Sequence, residues 1–281
     1  MATQTEGKLN WLLRALPEGL VVDAQWLARH GFSTSLRSHY VAAGWLEQPA
    51  RRVYRRPAGP LAWQHVVVSL QTLLRQVATV GARTALELQG YAHYISQKQM
   101  EIQLYGPGPL PGWVKLLPLP ERFIHHNSAT LFGDESSGLV LPELGENTET
   151  LSLGDGLEAA GLRVLPWGTW NWPLTVSTPE RAVLELLSEL PARESFHHVD
   201  VLMEGLGGLS PRRLQRLLVG CRSVKVKRLF FFFADRHQHA WLKRLDRATV
   251  DLGRGHRMIV RGGRFDAVYQ ITVPEDLDGV Q

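Results

Sequence analysis

Two arginine doublets, separated by a Val-Tyr pair, form the densest basic cluster of this 281-residue chain. They follow a segment rich in small hydroxyl side chains, which reads "FSTSLRSHYVAAGW" at residues 32–45. The four arginines are Arg51, Arg52, Arg55 and Arg56. A local cluster of positive charge attracts a polyanion, because binding releases the counterions that the polyanion holds. The chemistry that these residues favour is therefore the binding of a phosphate backbone.

The charge of the whole chain is concentrated in the same region. Residues 1–60 carry eight Lys or Arg against four acids, a net +4, whereas the remaining residues carry 23 of each sign. Within that neutral remainder, residues 121–204 hold fourteen acids against four arginines, and residues 205–264 hold fifteen basic residues against three acids. These two stretches either neutralise each other inside one fold or present a charged face to a partner, and the sequence leaves both possibilities open.

Histidines, the commonest metal ligands, are scattered through the rest of the chain. The pairs at 125–126 and 197–198 are adjacent in sequence, and adjacent side chains point apart in a helix or a strand. His237 and His239 share a face only in a strand, yet the pattern predicts that they begin a helix. The single cysteine, Cys221, makes a structural zinc site improbable. The sequence predicts no metal site and no cofactor.

The sequence also shows no cluster of carboxylates in a spacing typical of catalysis. A nuclease needs clustered carboxylates with a lysine nearby, whereas Asp200 and Glu204 share a predicted helical face without one. The only Asp-x-Asp pair lies at 276–278, near the end of the sequence. The phosphate-binding loop of nucleotide hydrolases, the dinucleotide-binding glycine motif and the nucleophile elbow are all missing from the sequence. We therefore predict a protein without catalytic residues.

The elements that must position the basic cluster are three short helices and a hairpin. Helices are predicted over 8–16, over 22–30 with Asp23 as N-cap, and over about 34–43 with Ser33 or Thr34 as N-cap. A hairpin follows, with its turn at 48–50 and the arginines on its second strand. This order predicts a winged helix-turn-helix DNA-binding domain over residues 1–60.

The third helix then becomes the candidate base-reading element. Leu36 and Tyr40 face inward, which leaves the opposite face free to enter a major groove. The predicted DNA-binding residues on or just before this helix are Ser33, Thr34, Ser35, Arg37, Ser38 and His39. His39 has an alternative role as a packing residue. The arginine doublets are predicted to form the wing and to contact phosphates or the minor groove.

The pattern over residues 61–281 predicts a mixed α/β domain that begins with a helical connector over 61–95. Together with the N-terminal winged helix-turn-helix, this domain gives the chain the fold class α+β. The connector should contain a helix over 61–76 that packs on both parts. Strands are predicted at 100–106, at 114–120 and in the run "VKRLFFFFADRH" at 226–237, which leads into a helix. A last hairpin is predicted around Gly262-Gly263, and a helix should start at Thr178-Pro179.

Three features of the sequence predict the compartment. No apolar run of about 18 residues exists, and the first twenty residues lack a signal-peptide pattern. A single cysteine fits a reducing compartment. We predict a cytoplasmic, nucleoid-associated protein with no membrane partner.

The same segments resemble a known family. "VVDAQWLARHGFSTSLRSHYVAAGWLEQPARRVYRRP" is similar to the N-terminal domain of AbiEi-type antitoxins of type IV toxin–antitoxin systems. Segments at 67–95, 101–117, 177–191 and 262–277 look like parts of the family's C-terminal antitoxin domain, whereas the acid-rich segment near 134–158 shows no match. The resemblance implies a regulator that represses its own operon and binds double-stranded DNA at its own promoter. It also implies a C-terminal domain that counters a nucleotidyltransferase-like toxin, directly or indirectly.

One C-terminal surface is predicted for that antagonism. Its candidate residues are Arg212, Arg213, Arg216, Arg222, Lys225, Lys227 and Arg228. The alternative is a solvated basic face that balances the acidic stretch before it. Because one winged helix buries little surface, we expect the operator to contain repeated half-sites.

Two other functional classes remain open from the residues alone. The first is a nuclease-like DNA-processing enzyme whose winged helix delivers a catalytic domain. The second is an adaptor whose winged helix binds protein. The missing carboxylate–lysine cluster argues against the first, and a salt-dependent association with DNA would exclude the second.

Overall fold

The N-terminal part of the computed structural model contains three helices and a small antiparallel sheet. The structure describes residues 7–91, 101–133, 139–145 and 155–278. Its first elements are, in chain order, α1 (Lys8–Ala15), β1 (Val21–Asp23), α2 (Ala24–Arg29), α3 (Thr34–Ala42), β2 (Glu47–Ala50) and β3 (Val53–Arg55). The strands pair in the order β1-β3-β2. This order of elements is consistent with a winged helix-turn-helix.

Local capping explains where α2 and α3 begin. The side chain of Asp23 accepts a hydrogen bond from the backbone N–H of Trp26, and Ser33 accepts one from Leu36. Each side chain satisfies one of the N–H groups that the first helical turn leaves unpaired. Both predicted N-caps are confirmed, and Ser33 rather than Thr34 caps α3.

The turn of the hairpin differs from the prediction. Ala50 pairs with Val53, so the turn consists of Arg51 and Arg52 rather than residues 48–50. Pro49, which suggested a turn, lies within β2. β2 is an edge strand of the sheet, and an edge strand tolerates proline because the missing N–H costs no ladder hydrogen bond. We call Arg51 and Arg52 the wing turn.

The second part is built on a five-stranded sheet. Its first half contains α4 (Trp63–Thr72), β4 (Thr79–Val80), α5 (Ala82–Leu88), β5 (Glu101–Gly106), a 3-10 helix (Gly112–Leu116), β6 (Arg122–Asn127), α6 (Ala129–Phe132), α7 (Asp155–Ala159), β7 (Leu162–Trp167) and β8 (Trp172–Ser177). The strands lie in the order β6-β5-β4-β8-β7. The pairs β4–β8 and β5–β6 are parallel and the others are antiparallel. The strand predicted at 114–120 was wrong, because this segment begins as the 3-10 helix.

Four helices and a final hairpin complete the chain. They are α8 (Pro179–Ser188), α9 (Phe196–Glu204), α10 (Pro211–Gly220), α11 (Val224–His237), 3-10 helices at Ala240–Arg244 and Arg247–Thr249, β9 (Arg264–Asp266), β10 (Ile271–Val273) and a last 3-10 helix at Glu275–Asp278. The predicted strand at 226–237 is wrong, since this run belongs to α11. Its phenylalanines are buried on every side, and a helix buried all round has no periodicity to distinguish it from a buried strand. The turn of the final hairpin lies at 267–270, so the glycines at 262–263 precede it.

The two parts of the chain share one interior. The side chain of Ser69 on α4 accepts a hydrogen bond from the backbone N–H of Val21 at 2.8 Å. A separate apolar cluster contains Val21 and Val53 of the small sheet, Val66 and Leu70 of α4, and Val114 and Leu117 at the 3-10 helix. α4 therefore packs on both parts, as its prediction states. Within the described ranges, no helix has the length and apolar character needed to cross a bilayer.

Candidate nucleic-acid interface

α3 presents a continuous polar face to solvent. Ser35, Ser38 and His39 are exposed, whereas Tyr40 on the opposite face is buried and packs edge-on against Phe32. Leu36 is partly buried against the same core. The helix is thus held by one face, and the other offers hydroxyl and imidazole groups that match the hydrogen-bonding edges of bases.

Arg37 lies on α3 and is partly exposed, and its guanidinium group bonds to the protein. Its Nη1 donates to the carbonyl oxygen of Ala24 at 2.8 Å, and its Nη2 donates to the hydroxyl of Thr34 at 2.8 Å. The guanidinium also lies 5.8 Å from the ring centre of Tyr54. These contacts tie α3 to the start of α2 and to β3. The structure therefore favours a positioning role for Arg37 over the predicted base contact.

The start of α2 joins α3 to the wing turn. The backbone N–H of Ala24 donates to the carbonyl oxygen of Arg52 at 2.8 Å, while the carbonyl of the same residue accepts the bond from Arg37. One residue thus connects the polar face of α3 with the tip of the hairpin. A molecule that contacts α3 at this end also lies near the wing turn.

The two arginine doublets have different surroundings. Arg51 and Arg52 are exposed, and neither side chain bonds to another residue in the described part of the chain. Arg55 is buried and donates to Glu47 at 2.7 Å and to the carbonyl of Gly59 at 2.8 Å. Arg56 donates to the carbonyl of Leu13 and to Glu18.

Of the four predicted wing arginines, the structure therefore presents the first doublet to solvent and holds the second doublet inside the domain. The wing turn also has an unusual backbone. Arg52 has a φ of 65°, in the left-handed region that glycine and asparagine usually occupy.

The C-terminal basic residues do not form the single surface that was predicted. Lys227 and Arg228 are only 5% and 3% exposed. The ammonium group of Lys225 donates to the carbonyls of Ser188 and Leu190 at 2.7 and 2.6 Å. Arg213 donates to the buried Glu180 at 2.9 Å. Because these side chains lie inside the fold or are bound by it, the exposed remainder consists of Arg212, Arg216 and Arg222.

The predicted histidine pairs take separate partners, as adjacent residues should. His126 stacks on Tyr105 with the ring centres 4.6 Å apart, and its Nδ1 lies 3.2 Å from Oε1 of Glu189. Burial, together with the charges of Arg193 and His125, lowers the pKa of His126 to about 4. His126 is therefore neutral at physiological pH and acts as a packing residue.

Two further histidines each contact a single carboxylate. His197 lies 3.2 Å from Asp276, and His237 lies 2.8 Å from Asp200. Asp200 also binds Arg236, so its carboxylate is fully engaged. Among the residues that the structure describes, no three histidines, cysteines or carboxylates are arranged to hold a metal ion.

A cleft that the sequence does not predict lies beside the wing turn. Its volume is about 540 Å³, and its walls include Ala24, Gln25, Arg51, Arg52, Trp113 and Leu116. The last two residues belong to the 3-10 helix and are about sixty positions away from the wing turn in sequence. Nothing in their spacing signals this proximity, because it depends on how the second part packs on α4.

Comparison with known proteins identifies the family. A family model described as "Transcriptional regulator, AbiEi antitoxin N-terminal domain" matches residues 5–97, and one described as "Transcriptional regulator, AbiEi antitoxin, Type IV TA system" matches residues 99–274. The two models divide the chain after residue 97, and the predicted boundary at residue 60 stays a prediction.

A solved structure has a similar fold. The crystal structure of RV2827C protein from Mycobacterium tuberculosis is 17% identical in sequence, with a TM-score of 0.55 over 94% of this chain and 88% of that one. A search of curated proteins gives no match. The family models together span nearly all of the sequence, and the predicted resemblance is confirmed: the chain belongs to the AbiEi antitoxin family of type IV toxin–antitoxin transcriptional regulators.

Proposed function

We propose that this protein is an antitoxin that binds duplex DNA in its own promoter through α3 and the wing turn, and so represses its own operon. The observation that carries this proposal is the connection at Ala24, which places the polar face of α3 beside two exposed arginines. Family membership supports the regulatory and antitoxin roles. A protein bound to a chromosomal operator would be cytoplasmic and associated with the nucleoid.

The two surfaces would have different tasks. Hydroxyl and imidazole groups at Ser35, Ser38 and His39 would read base edges in the major groove, because each base pair presents a distinct pattern of donors and acceptors there. Arg51 and Arg52 would contact phosphates, which adds affinity without sequence preference. Ser33 would serve mainly as the cap of α3, and Thr34 and Arg37 would hold that helix in place.

The operator would contain repeated half-sites. One winged helix buries little surface on DNA, so a single copy binds weakly, and two copies on adjacent half-sites supply the remaining affinity. Footprinting of the chain's own promoter should show two protected segments of related sequence. One isolated short site that a monomer binds with nanomolar affinity would contradict this part of the proposal.

The test of base reading uses two exposed residues of α3. Replacing both Ser38 and His39 by alanine should cost about 1–3 kcal/mol of discrimination between the operator and a shuffled duplex. The salt dependence of binding should not change, because neither residue contacts a phosphate in this scheme. Fluorescence anisotropy with both duplexes measures the two quantities together. Unchanged discrimination would refute base reading by α3.

The second activity, antagonism of a nucleotidyltransferase-like toxin, is assigned to the C-terminal part. The exposed arginines of the basic stretch are the residues to test, and Arg212 and Arg216 lie together in one cleft with Glu158. Co-expression of the toxin with the R212A/R216A variant should reduce growth relative to the unmodified chain. The control is K243A/R244A, a double change at another exposed basic pair. Full rescue by both variants would remove this surface from the proposal.

The proposal includes no catalytic step. The buried carboxylate of Glu185 is bonded to Ser177, Arg181 and the backbone of Ala82, and Glu180 is bonded to Arg213. Partners of this kind hold carboxylates in the fold and leave them no room to bind a cation and activate water. Incubation of the protein with supercoiled plasmid and Mg²⁺ or Mn²⁺ should leave the plasmid intact. Metal-dependent cleavage that copurifies with the protein would support a nuclease.

A further inference from the structure

The cleft beside the wing turn has one wall from each part of the molecule. Arg51, Arg52 and the start of α2 form the first wall, and Trp113 and Leu116 of the 3-10 helix form the second. The cleft adjoins α3, because Ala24 bonds both to Arg37 and to Arg52. A duplex that contacts the wing turn therefore also meets the 3-10 helix.

The 3-10 helix is fixed relative to the wing. Val114 and Leu117 are buried in the apolar cluster that contains Val21 and Val53 of the small sheet. These contacts leave the other side of the segment free, since Lys115 and Leu116 are exposed, the latter by 60%. A rigid segment with an exposed lysine and an exposed apolar side chain is well suited to a sugar–phosphate backbone, which has both anionic and apolar groups.

The charges around the cleft favour an anionic occupant. Among the described residues that line the cleft, Arg51 and Arg52 are cations and Asp23 is an acid, whose carboxylate already accepts the N–H of Trp26 at 2.7 Å. Lys115 lies between the lining residues Trp113 and Leu116 in sequence, and it is exposed. Two exposed guanidinium groups in the cleft, with an exposed lysine on the segment that forms the opposite wall, make a surface where phosphate oxygens lower the free energy.

We propose that the 3-10 helix Gly112–Leu116 is a second DNA-contacting element, which binds the sugar–phosphate backbone on the far side of the wing-turn cleft, with Lys115 as its phosphate contact. This inference rests on the proposed function, since it assigns a further part of the same DNA interface. It places a DNA contact outside the winged helix, in the part of the chain that the antitoxin-domain family model matches.

The test compares two lysines in equivalent settings. Lys115 and Lys243 are both exposed, and each lies near the end of a 3-10 helix. With the full chain and an operator duplex, K115A should weaken binding about five-fold near 0.15 M salt and lower the slope of log affinity against log salt by about 0.9. K243A should change neither quantity. The R51A/R52A variant serves as the positive control.

The outcomes separate the two proposals. If R51A/R52A loses affinity and K115A behaves like K243A, the second contact is wrong and the proposed function stands. If none of the variants changes the salt slope, the proposed function itself is wrong. If K115A has no effect on DNA but inorganic phosphate protects tryptophan fluorescence from quenching in the unmodified chain and not in W113F, the cleft binds a small ligand instead. Circular dichroism of K115A confirms that the variant is folded.

Discussion

The wing turn and the C-terminal helices carry the same kind of sequence signal, a cluster of arginines and lysines, but their side chains have opposite surroundings. Arg51 and Arg52 extend into solvent beside α3. Arg228 on α11 is buried and donates to the carbonyls of Leu252, Gly255 and Gln270. The difference shows that a basic cluster marks a binding surface only where the fold supplies no acceptors of its own.

The same contrast divides the wing itself. The second doublet consists of Arg55 and Arg56, which are bonded to Glu47 and Glu18 across the small domain. Those two ion pairs remove half of the predicted wing charge from the interface. The positive charge available for DNA is therefore smaller and more localised than the sequence suggests, which makes each remaining arginine more important.

The largest effect expected from this comparison is on stability. The R228A variant should lower the free energy of unfolding by about 3 kcal/mol, because it removes a buried guanidinium that donates to three carbonyl groups. Operator affinity of the folded fraction should not change. Urea denaturation followed by circular dichroism measures the first quantity, with R52A as the exposed control. Equal stability of the two variants would mean that Arg228 is not a structural residue.

The next effect is on DNA affinity. Removal of both side chains in R51A/R52A should weaken binding to any duplex about 30-fold near 0.15 M salt and lower the salt slope by about 1.8, because two phosphate contacts disappear. The matched control is K243A/R244A, which removes an exposed basic pair from another part of the surface. An equal loss in both variants would indicate that net charge alone drives binding.

A smaller effect on DNA affinity is expected from a single substitution at Arg52, whose backbone has a positive φ. Arg52 and Arg75 are both exposed arginines with positive φ, of 65° and 54°. Asparagine tolerates that conformation, so neither R52N nor R75N should unfold the chain, although R75N also loses an ion pair with Glu143. Only R52N should lose DNA affinity, by about five-fold near 0.15 M salt. Anisotropy titrations of the two variants at matched concentration make the comparison.

The smallest expected effect is a change in how stability depends on pH. It concerns His65, which lies on the helix that packs on both parts of the chain. His65 on α4 accepts the backbone N–H of Ala62 and packs against Trp167, with the ring centres 4.8 Å apart. Burial lowers its pKa below the usual 6.5, and the charge of Arg55 lowers it further.

The folded state therefore binds a proton at His65 less readily than the unfolded state. Stability contributed by the neutral ring is fully present above pH 6.5 and is lost as the pH falls below that value towards the lower folded pKa. The loss amounts to about 1.4 kcal/mol per unit of pKa difference. The H65Q variant should show a flatter decline in unfolding free energy over that range. A parallel decline in both proteins would assign the effect to other groups.

Part of this picture is readable from sequence because its causes are local. The caps at Asp23 and Ser33 and the face of α3 with Tyr40 depend on residues within one or two turns, and the structure agrees with them. The run of phenylalanines in α11 was misassigned as a strand, because a helix buried on all sides leaves no pattern for either structure.

The remaining errors come from contacts distant in sequence. Whether Arg228 is exposed depends on carbonyls up to 42 positions away, and Arg56 depends on a carboxylate 38 positions away. The cleft beside the wing turn requires Trp113 to pack near Arg52, which follows from the shared apolar cluster rather than from either segment. Neither a count of charges nor a hydrophobic periodicity predicts contacts between residues so far apart in the sequence.

Site-directed cleavage of DNA tests the central claim most directly. Cys221 is the single cysteine and is buried, so a cysteine introduced at an exposed position can carry an iron–EDTA cleavage reagent selectively. The label is attached in turn to A42C, an exposed position at the end of α3, and to T169C, an exposed position in the turn between β7 and β8. The account predicts strand breaks centred within the operator half-sites for A42C and none for T169C. Breaks produced by T169C, with an intact operator for A42C, would contradict it.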